Sequence, residues 1–350
     1  MVGKLLRKMA SDWFLAGMIS AVLLAAAFPK FGAAGGAMHA DVASDVGIFA
    51  VFFLHGLALS TRSLVAGLAN VRLHLLVQAL TFVIFPLLYI PFKFAFGGVI
   101  PEGLMLGFLY LCALPSTISS SVAMTAIAKG NVPAAIFNAT LSSLLGIVLT
   151  PAIIGLAMEG GATGGLSLGQ AMLNIATLLL LPFVLGQVAR PMIGNLASRH
   201  KKFINTFDKL VILMLVYSSF CDSTASGLWR DNGLGVIFLT LAGAAVFLAA
   251  ALVISSRVSK WCGFSEEDRI TAIFCGSKKT LASGVPMARL LFRAHPALGL
   301  IVLPIMFYHQ LQLFVCSIMA GRFADRFNKV PHPAPDAGGL PEPLPARAGS

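Results

Sequence analysis

Two long apolar stretches of this chain are interrupted near their middles by small polar residues, and that interruption limits the fold more than any other feature. The first reads CALPSTISSSVAM, Cys112 to Met124, with Pro115 followed by Ser116, Thr117, Ser119, Ser120 and Ser121. The second reads FCGSKKTLASGVP, Phe274 to Pro286, with Lys278 and Lys279 between apolar flanks. Hydrocarbon offers no partner for a freed backbone group. An interrupted helix therefore survives at membrane depth only where protein or a water-filled cavity satisfies it. Two breaks at corresponding places in two halves of a chain point to a transporter's binding site.

That argument presumes a membrane, and composition supplies it. Of 350 residues, 57% are hydrophobic and 11% charged, against roughly 25% charged in a soluble domain. Mean hydropathy is +0.87, which marks a polytopic membrane protein. The net charge of +11 would also suit a nucleic-acid binder, but Lys and Arg sit in short loops between apolar runs and no aromatic-basic patch is present. Five cysteines show no zinc or redox spacing and read as packing residues. Lys4, Arg7 and Lys8 precede the apolar run from Trp13 to Phe28. A signal peptide would start the same way, but without a convincing cleavage site the run is expected to be the first membrane helix.

With roughly 20 apolar residues per crossing, ten spans are expected, near 11–29, 44–61, 73–93, 102–128, 132–157, 168–190, 205–226, 233–256, 268–294 and 298–321. An arm over 1–10 precedes the ten-helix domain at 11–325, and the tail over 326–350, proline-rich from Pro331, is expected to be disordered. Under an inward-facing N-terminus, 18 of the 25 Lys and Arg fall inside and five outside, with Lys278 and Lys279 within the ninth span. Both termini are therefore expected in the cytoplasm. The breaks in the fourth and ninth spans lie roughly 160 residues apart, like the starts of the first and sixth. Five spans per half make any repeat, about 11–157 and 168–321, an inverted one. The fold class is all-α.

In the fourth span, Pro115 removes an N–H and crowds the preceding turn. The hydroxyls after it either hold a ligand or act as helix glue. In the fifth, Asn138, Ser142 and Gly146 share one helix face, where Asn138 and Ser142 are candidate ligands or packing residues. In the ninth, Lys278 and Lys279 are costly at that depth and mark function by default; snorkelling works only near helix ends. One of them is expected to act as a ligand or a surrogate cation, and the other to reach an interface or a carboxylate. Ser277, Thr280, Ser283 and Gly284 add polar, flexible positions, and Pro286 is expected to stop a clean continuation. Asp222 is placed to pair with a basic group or cap a helix. His309, beside Gln310 and Gln312, is either a buried neutral imidazole or a proton relay; His55 and Gln78 are weaker candidates of the same class.

At these motifs, together with AAIFN and its downstream LGIVLTP, FCD at 220–222 and FYHQLQ, the chain resembles the bile acid:sodium symporter superfamily. More narrowly it is similar to the SBF-like branch, which holds bacterial symporter-like proteins and the orphan seventh vertebrate family member. The likeness runs over roughly residues 10 to 325. It implies ten helices in inverted five-helix repeats, broken fourth and ninth helices that cross, and a panel of the first, second, sixth and seventh helices beside a core. The classical symporters bind two sodium ions near the crossing through a Glu and a Gln of the ninth helix. Here that crossover reads Cys275, Gly276, Ser277, Lys278 and Lys279, with no carboxylate. The Asn of the family's fourth helix falls near Ser121 or Val122. Gln78 alone carries over as a sodium contact.

These readings lead to an expected secondary active transporter of a small organic, anionic solute, working by alternating access in a bacterial inner membrane. It is expected to be no enzyme and to need no cofactor, with sodium or a proton as coupling ion and with solute and lipid, not nucleic acid, as partners. A non-transporting membrane regulator or sensor is the alternative. An intramembrane hydrolase with a Ser–Lys pair lacks a nucleophile motif. If a midplane cavity opens alternately, Ser119→Cys and Ser283→Cys are labelled from opposite sides in different conformations, and substrate changes the labelling. Inertness of both thiols to small water-soluble reagents in every condition would remove the cavity.

Overall fold

The computed structural model describes residues 13–33, 36–58, 70–158, 168–225, 235–293 and 295–329. The expected arm at 1–10, the glycine-rich loop at 160–165 and the tail from 330 lie outside the described residues. Within them every regular element is a helix. In chain order these are α1 (Trp13–Ala27), α2 (Ala40–Ala58), α3 (Val71–Ala79), α4 (Phe85–Phe96), α5 (Glu102–Ala113), α6 (Ile118–Ile127) and α7 (Val132–Met158). There follow α8 (Leu168–Arg199), α9 (Lys201–Ala225), α10 (Gly235–Trp261), α11 (Glu266–Ser277), α12 (Gly284–Leu291) and α13 (Leu298–Lys329). A further single turn, Pro29–Gly32, follows α1.

Among the described residues, five helical stretches are long and apolar enough to cross a membrane, and a sixth is the pair α5 and α6, bent by 59°. Both expected breaks are present, α5/α6 at 114–117 and α11/α12 at 278–283. Pro286, expected to stop a clean continuation, lies just past the interruption that separates α12 from α11. It sits in the first turn of α12, where its missing N–H would have no helical partner anyway. The third expected span holds a feature the sequence reading missed, a π-helical turn at Leu80–Ile84 between α3 and α4.

Local chemistry sets the helix starts. Asn70 caps α3 by accepting from Leu73 N. Ser265 caps α11 by accepting from Asp268 N at 3.2 Å, and Glu266, Glu267 and Asp268 load the first turn with negative charge that suits the helix dipole. The side chains of Asn70 and Asn131 both donate to Asp268, at 2.7 and 2.8 Å. This one carboxylate ties the starts of α3, α7 and α11 together.

The helices pack in two groups. In one, α1 and α2 lie against α9, and α2 lies along α8. In the other, α3 to α7 pack with α10 to α13, and Phe92, Phe108 and Phe247 of α4, α5 and α10 form a ring cluster with centroids 4.7–5.6 Å apart. The backbones of α2 and α8 approach closely. A Cβ on Gly56 would lie 2.0 Å from Phe183 O, and one on Gly186 2.1 Å from Phe53 O. Small residues of this kind let backbones approach where no hydrophobic driving force separates helix from lipid. Gly56→Val or Gly186→Val is expected to cost about 1–3 kcal/mol by overpacking and to lower the melting temperature in detergent by several degrees. Gly235→Ala, with nothing within 4 Å of an added Cβ, serves as the near-neutral control.

Candidate functional site

The two breaks meet, and each supplies what the other lacks. Pro115 cannot donate to Leu111 O, so α5 ends and leaves the carbonyls of Cys112, Ala113, Leu114 and Pro115 without helical partners. All four are satisfied from elsewhere. Lys279 Nζ donates to Cys112 O at 2.8 Å and Leu114 O at 2.7 Å. Thr150 Oγ1 of α7 donates to Ala113 O at 2.8 Å, and Thr280 N to Pro115 O at 3.0 Å. The freed Ser116 N–H donates to Ser142 Oγ at 2.9 Å.

The return traffic runs from the fourth span to the end of α11. Ser116 Oγ donates to Cys275 O at 2.6 Å and Ser121 Oγ to Phe274 O at 3.3 Å. Tyr308 of α13 donates to Ser277 O, and Tyr110 of α5 to Gly284 O, both at 2.5 Å. Gln312 closes the Lys279 peptide from both sides, accepting from its N–H at 2.9 Å and donating to its carbonyl at 2.8 Å. Those two bonds orient the amide. Its NH2 also faces His309 Nδ1 at 3.1 Å, so Nδ1 accepts and a neutral imidazole carries its proton on Nε2.

Lys279 is fully buried and spends all three ammonium hydrogens on carbonyls. The third acceptor is Thr81 O, at 2.9 Å, and its availability follows from the π turn. Phe85 N bonds to Leu80 O, and the next residue, Pro86, has no N–H to offer Thr81 O. The Phe85 ring lies 4.1 Å from Nζ, and the acceptors at Cys112 and Leu114 form the negative end of α5. Lys278 is equally buried. Its ammonium donates to Ser120 O at 2.7 Å and lies 5.4 Å from the Phe274 ring. Among the ion pairs of the described residues, none involves either lysine. A cation held by carbonyl oxygens and a π face, with no carboxylate in ion-pair contact, has the surroundings of a bound monovalent ion.

The residues singled out in the sequence thus divide. Ser116, Ser121, Ser142, Ser277, Lys278 and Lys279 are buried and committed to the backbone of the crossing; the Ser277 hydroxyl donates to Ile273 O within α11. Thr280 contributes its N–H, while its hydroxyl accepts from Ser283 at 3.4 Å. Asn138 donates to Ala134 O and accepts from Gln78, whose amide lies 3.1 Å from Asn138 O and 3.4 Å from its Oδ1. Gln78 Oε1 and Ser120 Oγ are buried atoms with no partner among the described residues. Ser119 is exposed, and Thr117, His309 and Gln310 are half-buried. Asp222 takes the pairing alternative, with Arg289 at 2.5 Å, and His55 meets Asp208 at 3.0 Å.

Sequence reasoning did not single out Thr81, Tyr110, Thr150 or Tyr308, each of which acts through one hydroxyl or carbonyl, although Thr150 and Tyr308 lie in the quoted LGIVLTP and FYHQLQ segments. For Thr81 the available signal was Pro86, because a proline inside an apolar span frees a carbonyl as surely as Pro115 does.

The model of the SBF-like CPA transporter family matches residues 12–325. The uncharacterized protein PA2026 of Pseudomonas aeruginosa is 45% identical over 90% of this chain and 93% of its own. The putative symporter YfeH of Escherichia coli is 42% identical over 89% of this chain and 92% of its own. Sodium/bile acid cotransporter 7 of Danio rerio is 30% identical over 90% and 94%. With apolar helices long enough to cross a bilayer and a match over nearly its whole length, the chain belongs to the SBF-like CPA transporter family, integral membrane transport proteins of the bile acid:sodium symporter type rather than enzymes.

Proposed function

We propose that the protein is a secondary active transporter that moves a small organic anion by alternating access, without sodium, across a bacterial inner membrane. The reading takes ten membrane helices in inverted five-helix repeats, with both termini in the cytoplasm. The observation that carries it is the ammonium of Lys279 on three backbone carbonyls where the broken fourth and ninth helices meet. In this reading the lysine supplies internally the charge that a coupling cation would bring.

Magnitudes favour the substitution over coexistence. Two unit charges 4 Å apart repel by roughly 4 kcal/mol at an effective dielectric of 20, about three orders of magnitude in affinity. A sodium ion beside the ammonium would face that repulsion and find its carbonyl ligands already taken. Proton coupling then falls to a lysine of the crossing or to His309, which contacts the Gln312 amide that holds the Lys279 peptide.

An anionic solute suits the polar groups left over from the crossing. Thr117 and Ser119, half-buried and exposed, stand at the N-terminus of α6, a half-helix end whose free N–H groups and dipole favour negative charge. The Danio rerio relative is named for bile acid, which extends the proposal to an amphipathic organic anion as the solute class.

Uptake into proteoliposomes with sodium exchanged for choline at fixed pH tests the reading. Uptake is expected to persist in choline; a steep sodium requirement in the unmutated protein overturns it. Lys279→Met is expected to abolish uptake. Each carbonyl left bare costs about 1–3 kcal/mol, so this variant should also melt about 6 °C or more lower. Lys278→Met, whose one acceptor, Ser120 O, lies within α6 and keeps its helical partner, should cost less in a thermal melt.

A further inference from the structure

We infer that two ion pairs, Asp222–Arg289 and Asp45–Arg293, form a latch that fastens the two helix groups to each other at one end of the bundle and releases when a cavity opens between them there. The acids lie on α9 and α2, in the first group; Arg289 is in the last turn of α12, in the second, and Arg293 follows it. Arg289 donates to Asp222 Oδ2 at 2.5 Å and to Ser218 Oγ of α9 at 3.1 Å. Arg293 donates to Asp45 Oδ2 at 3.0 Å. Beside them, Gly299 N at the start of α13 donates to Ser223 Oγ of α9 at 2.8 Å. Each of these four contacts runs from one group to the other.

The polar contacts described at the other end run differently. Asn70 and Asn131 meet Asp268 within the second group, and His55 meets Asp208 within the first. Charge thus bridges the groups at the Arg289 end of the ninth span, while at its Ser265-capped end the acid Asp268 binds members of its own group.

The two pairs contribute unequally. Arg293 and Asp45 have half-exposed side chains, 55% and 46%, where water screens the attraction and the gain is small. The Arg289 side chain is 5% exposed and that of Asp222 24%. This charge-assisted pair is only partly wetted and governs the seam. A buried charge stripped of its partner is costly in a dry seam and tolerable in a wet one. Breaking this pair therefore favours the arrangement in which water enters between the groups.

What the opening is for rests on the transport reading above; the latch itself is tested without any solute. The reporter is Ser223→Cys, at a buried position in the seam, with the five native cysteines replaced by alanine. It is labelled with a polyethylene glycol maleimide in membranes. Slow labelling is expected with the latch intact, about tenfold faster labelling in Asp222→Asn, and two- to threefold in Asp45→Asn as a rough expectation for a solvated pair. Exchanging the charges, Asp222→Arg with Arg289→Asp, should return labelling toward the slow rate. Fast labelling with both pairs intact overturns the latch, as does an unchanged rate in Asp222→Asn. A monodisperse elution profile confirms that each variant is folded, and Asp45→Asn, at the exposed pair, carries the test if Asp222→Asn fails that check. Labelling that responds while uptake is never detected leaves the latch standing and removes the transport reading; uptake with unresponsive labelling does the reverse.

Discussion

Everything around the crossing depends on one requirement, that backbone carbonyls freed inside an apolar bundle find donors. An intact helix meets it alone. Two broken helices meet it by exchange, and the exchange is specific to the atom. Lys279 and Thr280 of the ninth span cover the end of α5, while Ser116 and Ser121 of the fourth cover the end of α11. Helices α7 and α13 contribute Thr150, Ser142, Tyr308 and Gln312 from the sides. At this depth each break is satisfied largely by groups of the other.

The exchange also explains why a lysine is tolerated without an acid. An ammonium left bare in a low-dielectric interior is prohibitive. Three carbonyls, a helix C-terminus and an aromatic face return much of what hydration provided. Among the described residues no carboxylate pairs with either lysine, so a protonated Lys279 would leave its charge uncompensated at the crossing. A second cation there is disfavoured on the same grounds, and an anion nearby is favoured. The transport proposal draws both its sodium independence and its solute class from this one field.

Polar chemistry is divided by place. At the crossing it is buried and holds backbone. At the Arg289 end it bridges the helix groups, and around Asp268 it clamps one group's helix starts into a unit. Such a division separates what must stay rigid from what can part. From sequence the hydroxyls of Ser116, Ser121 and Ser142 could serve either as ligands or as glue between helices. Their actual partners are carbonyl and amide groups of other spans, as distant in sequence as Ser116 from Cys275.

Read alone, the sequence located both breaks, named the two lysines and put Pro115 at the root of the first interruption. It could do so because proline's missing N–H and the cost of charge in hydrocarbon are local properties of residue and neighbourhood. The all-helical class and the membrane followed from the same physics. Tertiary structure alone decided which carbonyl each donor serves: that Lys279 rather than Lys278 gathers three oxygens, that Pro86 frees Thr81 O for it, and that Asp222 reaches Arg289. Those are meetings between helices, set by how the bundle packs. No spacing along the chain encodes them, because a hydroxyl or an ammonium is equally able to bond any acceptor that packing brings within 3 Å.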